Sequence, residues 1–177
     1  MPRLPALAAA ALFLVLPARA ELAVGADAPL FTAPATLGGA EFSFSLAEAL
    51  KTGPVVLYFY PAAFTKGCTV EAHDFAEATD AFKALGATVI GVSADDIAKL
   101  NEFSVAECRS KFAVASDADQ AIMKAYDAVL EMKPELADRT SYVISPEGKI
   151  LFVYSALDPS GHVEKTMEAV KAWKASH

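Results

Sequence analysis

The chain has 177 residues, 54% of them hydrophobic, and a formal net charge of −7. This length suffices for one domain with a hydrophobic core and is too short for two of ordinary size. Because the net charge is negative and the basic residues form no cluster, we expect the chain to bind neither nucleic acid nor an anionic membrane surface.

The first 20 residues have the layout of a secretory signal peptide. An uncharged apolar run over residues 6–16 follows Arg3, and Ala18 and Ala20 form an Ala-x-Ala cleavage pattern. The run is shorter than the roughly 20 apolar residues that a membrane-spanning helix needs, which makes an uncleaved anchor the weaker alternative. We therefore expect residues 1–20 to be removed and residues 21–177 to be exported to the periplasm, free of the membrane.

Hydrophobic periodicity and turn residues predict alternating strands and helices after the leader. The apolar runs at 55–60 and 87–92 are typical of strands buried on both faces of a sheet. Predicted strands cover residues 28–35, 41–45, 55–60, 87–92, 114–116, 141–145 and 149–155. Predicted helices cover 46–51, 69–85, 97 through Cys108, 120–126 and 163–176, and Asp95 and Asp96 are candidate N-caps of the third. This order predicts a single α/β domain over residues 21–177, a three-layer sandwich with a mixed central sheet and an N-terminal β-hairpin.

Cys68 is the most informative residue of the chain. The apolar run at 55–59 ends at Pro61, and a helical pattern begins next to Cys68, so a strand delivers this thiol to the first turn of a helix. Free amide N–H groups and the positive end of the helix dipole favour a thiolate there. This placement is typical of a reactive cysteine.

The chain has one other cysteine, Cys108. In an oxidising compartment an even pair is more often linked at some time than left free. A permanent structural disulfide is one interpretation. The position of Cys68 at a helix start favours the other, which is thiol–disulfide exchange.

The pattern Pro61-x-x-x-Thr65-x-x-Cys68 resembles the active-site signature of the peroxiredoxins, and its flanks resemble the bacterioferritin-comigratory-protein (PrxQ-type) branch. Matching residues continue through Glu71, and residues 139–144 resemble the segment that carries the family's active-site arginine. The resemblance implies a thioredoxin-like fold and the reduction of hydroperoxides without a cofactor. No tight spacing of cysteine and histidine suggests a metal site, so we expect none.

The resemblance also implies roles for the matched residues. Cys68 is expected to be the peroxidatic cysteine, whose thiolate attacks the peroxide and becomes a sulfenic acid. Pro61 shields the sulfur, the Thr65 hydroxyl hydrogen-bonds the peroxide, and Arg139 stabilises the thiolate and the charge on the leaving oxygen. Glu71, one helical turn after Cys68, is expected to orient Arg139. Taken singly, each neighbour also has a plain structural interpretation, such as a turn residue or a surface charge.

Cys108 is expected to resolve the sulfenic acid as an intramolecular disulfide. In this branch the resolving cysteine often lies five residues after the peroxidatic one, but His73 occupies that position, which we interpret as a solvated helix residue. The helix from residue 97 is predicted to continue to Cys108 and to place this cysteine on its partly buried side, away from Cys68, so we expect local unwinding around one or both cysteines during turnover. Arg109 and Lys111 would then help to ionise Cys108. The alternative is a buried, inert Cys108 and an external thiol that resolves Cys68.

The leader predicts an exported protein, and the resemblance implies a thiol peroxidase with two active cysteines that is a monomer. Its reductant is expected to be an exported thioredoxin-like protein or a small thiol. A different class of function is a redox sensor or chaperone-like binding protein that uses the oxidation of Cys68 as a signal. The sequence names neither the preferred peroxide nor the reductant.

Overall fold

The computed structural model describes residues 21–177; the signal peptide predicted over residues 1–20 lies outside the described residues. The described residues form seven strands: β1 Thr32–Leu37, β2 Ala40–Ser45, β3 Val55–Phe59, β4 Thr88–Ser93, β5 Ala113–Ser116, β6 Thr140–Ile144 and β7 Ile150–Ser155. Five α-helices of the described chain accompany them: α1 Leu46–Leu50, α2 Lys66–Ala84, α3 Ile97–Ala106, α4 Ala121–Ala125 and α5 His162–Ala175.

The strands form one mixed sheet in the order β2-β1-β5-β4-β3-β6-β7. The central strands β3, β4 and β5 run parallel, which requires the helical crossovers between them. β1 pairs antiparallel with both β2 and β5 and so joins the N-terminal hairpin to the sheet, while β6 and β7 close the other edge in antiparallel pairing. The predicted mixed sheet and hairpin are confirmed.

Strand β3 separates the two halves of the core. All five of its residues are buried, and their side chains alternate between the two faces of the sheet, as the period of a strand requires. Leu57 packs in the cluster beside α1 and α4, whereas Tyr58 packs in the cluster beneath α2, α3 and α5. The predicted three-layer arrangement is therefore confirmed, and both cysteines lie in the second cluster.

Two local predictions around α3 differ from the structure. Asp96 is its N-cap, as predicted, and accepts from the backbone N–H of Lys99 at 2.9 Å. The neighbouring Asp95, also predicted as a cap, turns back towards the loop before Cys68. The helix ends at Ala106 and does not continue to Cys108, so the prediction of one continuous helix was wrong.

No helix within residues 21–177 combines the length and the apolar character needed to cross a bilayer.

Candidate active site

Cys68 lies in the first turn of α2, where the loop after β3 turns into the helix. The backbone of Tyr60 still donates to Val92 of β4 at 3.1 Å, so the sheet fixes the start of that loop. Thr65 is the N-cap residue by position and has an extended backbone. Cys68 is 1% exposed, so its sulfur, at the helix N-terminus, is almost completely shielded from water. The predicted placement of the thiol is confirmed.

Arg139 brings a cation to this sulfur from the start of the strand next to β3. It directly precedes β6, the strand that pairs with β3, and its Nη2 donates to Cys68 Sγ at 3.5 Å. Its Nε donates to the carbonyl oxygen of Leu157 at 2.9 Å, and its Nη1 donates to Glu71 Oε2. Burial alone lowers the pKa of Arg139, but the negative charges of Glu71 and Cys68 outweigh that effect and the pKa is raised. A permanently charged guanidinium is thus fixed against the thiol.

Gly67 leaves the space that this contact uses. A Cβ atom at position 67 would lie 2.9 Å from Arg139 Nη2 and 3.8 Å from its Cζ. Because the guanidinium is held by Leu157 and Glu71 as well, it cannot retreat without losing those bonds. The backbone immediately before the cysteine therefore has to lack a side chain if Arg139 is to reach the sulfur.

Glu71 holds Arg139 from the same helix that carries Cys68. It is completely buried, and burial raises the pKa of its carboxyl group to about 8, against the opposing effect of the paired guanidinium. Its Oε2 accepts from Arg139, whereas its Oε1 has no hydrogen-bond partner among residues 21–177 and lies 3.7 Å from Nδ1 of His162. The predicted contact between Glu71 and Arg139 is present.

His162, at the start of α5, is a buried neighbour of the site that the sequence did not reveal. Its Nε2 faces the carbonyl oxygen of Ala156 at 3.0 Å, so this nitrogen is the donor, and Nδ1 then accepts from the Ser141 hydroxyl at 2.8 Å. Burial lowers its pKa, which keeps the ring neutral near pH 7. No motif marked this residue, because a single histidine before an amphipathic helix carries no spacing signal.

Pro61 and Thr65 occupy the loop but make no hydrogen bond to the sulfur within the described chain. Pro61 is half-buried where β3 ends. The Thr65 hydroxyl is exposed and donates to the carbonyl oxygen of Ala62 at 2.9 Å. That bond uses the hydroxyl proton and leaves the oxygen free to accept from a bound peroxide. Their predicted roles towards substrate stay predictions.

Asp95 holds the same loop in place and was missed as a site residue. Its Oδ2 accepts from the backbone N–H of Ala63 at 2.7 Å and from the Ser93 hydroxyl at 2.9 Å. Its Oδ1 accepts from Lys99 at 2.6 Å. Asp95 therefore links the end of β4 to the loop before Cys68, and this link helps to fix the position of Cys68.

Cys108 lies in the turn between α3 and β5 and is completely buried. The helix ends before it, at Ala106, and Arg109 and Ser110 after it adopt the left-handed conformation, with φ of 51° and 55°. Burial and the adjacent Glu107 raise the pKa of the Cys108 thiol. Arg109 does not offset this, since it pairs with Glu77. Both cysteines are free thiols here, so a structural disulfide is absent from this state.

No group of three or more histidine, cysteine, aspartate and glutamate side chains in residues 21–177 could hold a metal ion. The chemistry available to the site is that of one buried thiol at a helix N-terminus, one fixed cation and one carboxyl group behind it.

Residues 24–153 match the model of the AhpC/TSA family. The chain is similar to "Peroxiredoxin Q, chloroplastic" of Oryza sativa subsp. japonica, with 33% identity over 86% of this chain and 68% of the relative. It is also similar to "Peroxiredoxin Bcp" of Xanthomonas campestris pv. campestris, with 33% identity over 67% of this chain and 76% of the relative. Among solved structures, peroxidoxin BcpB of Mycobacterium tuberculosis superposes with a TM-score of 0.76 and 30% identity, covering 84% of this chain and 96% of that one. Cys68, Cys108 and Arg139 lie within the range that the family model matches.

Proposed function

Because this chain belongs to the AhpC/TSA family, in the PrxQ/Bcp branch of the peroxiredoxins, we propose that its thiol-dependent peroxidase activity uses Cys68 as the peroxidatic cysteine and Cys108 as the resolving one. The observation that carries the first assignment is the contact between Arg139 Nη2 and Cys68 Sγ at 3.5 Å, at a helix N-terminus. Both features place positive charge beside the sulfur that acts as the nucleophile.

In the first step the Cys68 thiolate attacks one oxygen of the hydroperoxide. The sulfur–oxygen bond forms as the oxygen–oxygen bond breaks, the sulfur is oxidised to a sulfenic acid, and the leaving oxygen takes a proton to become water or an alcohol. Arg139 stabilises the negative charge first on the sulfur and then on the leaving oxygen. The Thr65 oxygen, whose proton is engaged by Ala62, is suited to accept from the peroxide O–H.

Replacing Gly67 with alanine is expected to slow this first step by about tenfold or more, because the new methyl group displaces the guanidinium from the sulfur. The measurement is the second-order rate of hydrogen peroxide consumption. Val70→Ala is the matched control, since Val70 is exposed on the same turn of α2 and should react at the wild-type rate. An unchanged rate in Gly67→Ala would contradict the assigned role of the Arg139 contact.

In the second step the Cys108 sulfur attacks the sulfenic sulfur of Cys68, water leaves, and an intramolecular disulfide forms. Both side chains are buried in the reduced chain, Cys68 at 1% and Cys108 at 0% exposure. A disulfide needs the two Cα atoms within about 7 Å, so we propose that the turn carrying Cys108 opens during turnover. The burial and raised pKa of Cys108 favour one alternative, in which an external thiol resolves Cys68.

Intact mass after one equivalent of hydrogen peroxide separates these two routes. The wild type is expected to lose about 2 Da, and Cys108→Ser is expected to gain about 16 Da and to form no intramolecular disulfide. Retention of the oxygen adduct on Cys68 in the wild type would instead favour the external thiol. A wild type that consumes peroxide no faster than a variant without Cys68 would favour the redox-sensor or binding function.

We further propose that the signal peptide is cleaved and that the protein works outside the cytoplasm. The composition of residues 1–20 supports this localisation. The reductant is then an exported thioredoxin-like protein or a small thiol, because cytosolic thioredoxin does not reach that compartment.

A further inference from the structure

The turn that carries Cys108 is attached to one face of α2, the helix that carries Cys68. We call residues 107–111 the Cys108 segment. Its partners on α2 recur at spacings of three and four residues and therefore share one face. The contacts are Glu107 Oε2 with His73 Nε2 at 2.7 Å, Arg109 with Glu77 at 3.1 Å, Lys111 with Asp80 at 3.1 Å, and Lys83 donating to the Lys111 carbonyl oxygen at 3.4 Å.

Regular secondary structure does not hold this segment. It begins after the end of α3 and finishes before β5 starts. Its backbone is tied to α3 by the bond from the Cys108 N–H to the Phe103 carbonyl oxygen at 3.1 Å and by the bond from Ser110 to Ser104 at 2.9 Å. The segment can therefore lift away while the helix and the strand on either side stay formed, and the side-chain contacts with α2 help to decide how often it does so.

The contact between His73 and Glu107 differs from the others in burial. The side chains of His73 and Glu107 are 35% and 21% exposed, against 46% and 69% for Arg109 and Glu77. Exposed ion pairs contribute little because water and salt screen them. The bond between His73 and Glu107 is shorter and less exposed, and it is made directly beside Cys108. Its loss is therefore expected to destabilise the buried position of Cys108 more than the loss of any other of these contacts.

We propose that His73 and Glu107 are positioning residues that keep Cys108 buried in the reduced chain and thereby limit how fast it reaches the oxidised Cys68. The inference rests on the proposed role of Cys108 as the resolving cysteine. The reaction it controls needs no further reactant, because the Cys108 thiol and the Cys68 sulfenic acid form the disulfide and release water. Loss of the contact speeds this second step and leaves the first step unchanged.

A double-mutant cycle tests the inference on the full mature chain. His73→Ala, Glu107→Ala and the double variant are mixed with one equivalent of hydrogen peroxide and quenched in acid at increasing times. Intact mass then gives the rate at which the Cys68 sulfenic acid becomes the disulfide. Each single variant is expected to form the disulfide at least about fivefold faster than the wild type, and the double variant no faster than Glu107→Ala alone. The direct effect of the Glu107 charge on Cys108 is present in both backgrounds and cancels in the cycle.

Glu77→Ala is the matched control, because it removes an exposed contact of the same segment and is expected to stay within about twofold of the wild type. Peroxide consumption in the same mixing experiment reports the first step and shows that each variant is folded. If His73→Ala and Glu107→Ala form the disulfide at the wild-type rate or more slowly, the positioning role is wrong and the function of Cys108 stands. If the wild type forms no disulfide at all, the resolving role itself is wrong.

Discussion

Replacing Cys68 with serine is expected to abolish peroxide reduction and to lower its second-order rate constant by about 10⁴-fold or more. The serine hydroxyl stays protonated near neutral pH even beside Arg139, and its oxygen cannot be oxidised as a thiolate sulfur is. The substitution keeps the size of the side chain and an acceptor for Arg139 Nη2, so the fold and the guanidinium position are preserved.

The measurement is stopped-flow consumption of hydrogen peroxide with a thiol reductant in excess. Cys108→Ser is the internal control, because it removes the only other cysteine and is expected to keep the first-step rate within about twofold of the wild type. A Cys68→Ser protein that retains a tenth of the wild-type rate would mean that another group reduces peroxide. A Cys108→Ser protein that loses the first step would move the peroxidatic role to Cys108.

The local framework of the site could be predicted because its signals lie close together in the chain. The apolar run of β3, the proline after it and the helical pattern that follows place Cys68 at a helix start without any long-range information. Arg139 is different. It is 71 residues away from Cys68, and periodicity cannot pair them, so only the resemblance to the peroxiredoxins indicated the contact.

Residues that act through tertiary contacts were missed or misplaced for the same reason. Aspartate is a common helix cap, but Asp95 instead makes a tertiary contact, since its carboxylate accepts from the backbone N–H of Ala63. His73 was predicted to be a solvated helix residue and instead contacts Glu107, 34 residues away. The apolar spacing of α3 continues to Cys108 in sequence, but the helix ends at Ala106 and the chain then turns through Arg109 and Ser110 in the left-handed conformation, which their residue types do not predict.

Replacing Arg139 with methionine is expected to lower the rate of peroxide reduction by about 10²- to 10³-fold, the effect of removing one preorganised donor from a site where charge develops. It also leaves Glu71 buried without its cation. Near pH 7 that carboxyl group is protonated in the folded variant and ionised in the unfolded one, and breaking a buried ion pair on one side typically costs about 3–5 kcal/mol of unfolding free energy. Activity and stability are therefore expected to fall together, and a second substitution is needed to separate them.

Combining Arg139→Met with Glu71→Leu removes both charges, so most of the unfolding free energy is expected to return while the rate of peroxide reduction stays low. Urea titration gives the stability and stopped-flow mixing gives the rate. Arg109→Met is the matched control, because its ion pair with Glu77 is exposed and should change stability by less than about 1 kcal/mol. Recovery of the rate in the double variant would show that Arg139 supports the fold and does not act on the sulfur.

The pH dependence of stability in Arg139→Met gives an independent check on the buried carboxyl group. Burial raises the pKa of Glu71 from 4.5 to about 8 even with the guanidinium present, and the loss of that cation raises it further. Below pH 4.5 the carboxyl group is protonated in both the folded and the unfolded chain, and the loss of Arg139 then leaves no buried charge. Above that value the unfolded chain releases the proton more readily than the folded one, so the unfolding free energy of the variant should decrease as the pH rises towards 8. Arg139→Met with Glu71→Leu lacks this carboxyl group and should not show the added decrease; a decrease of equal size in both would place its origin elsewhere in the chain.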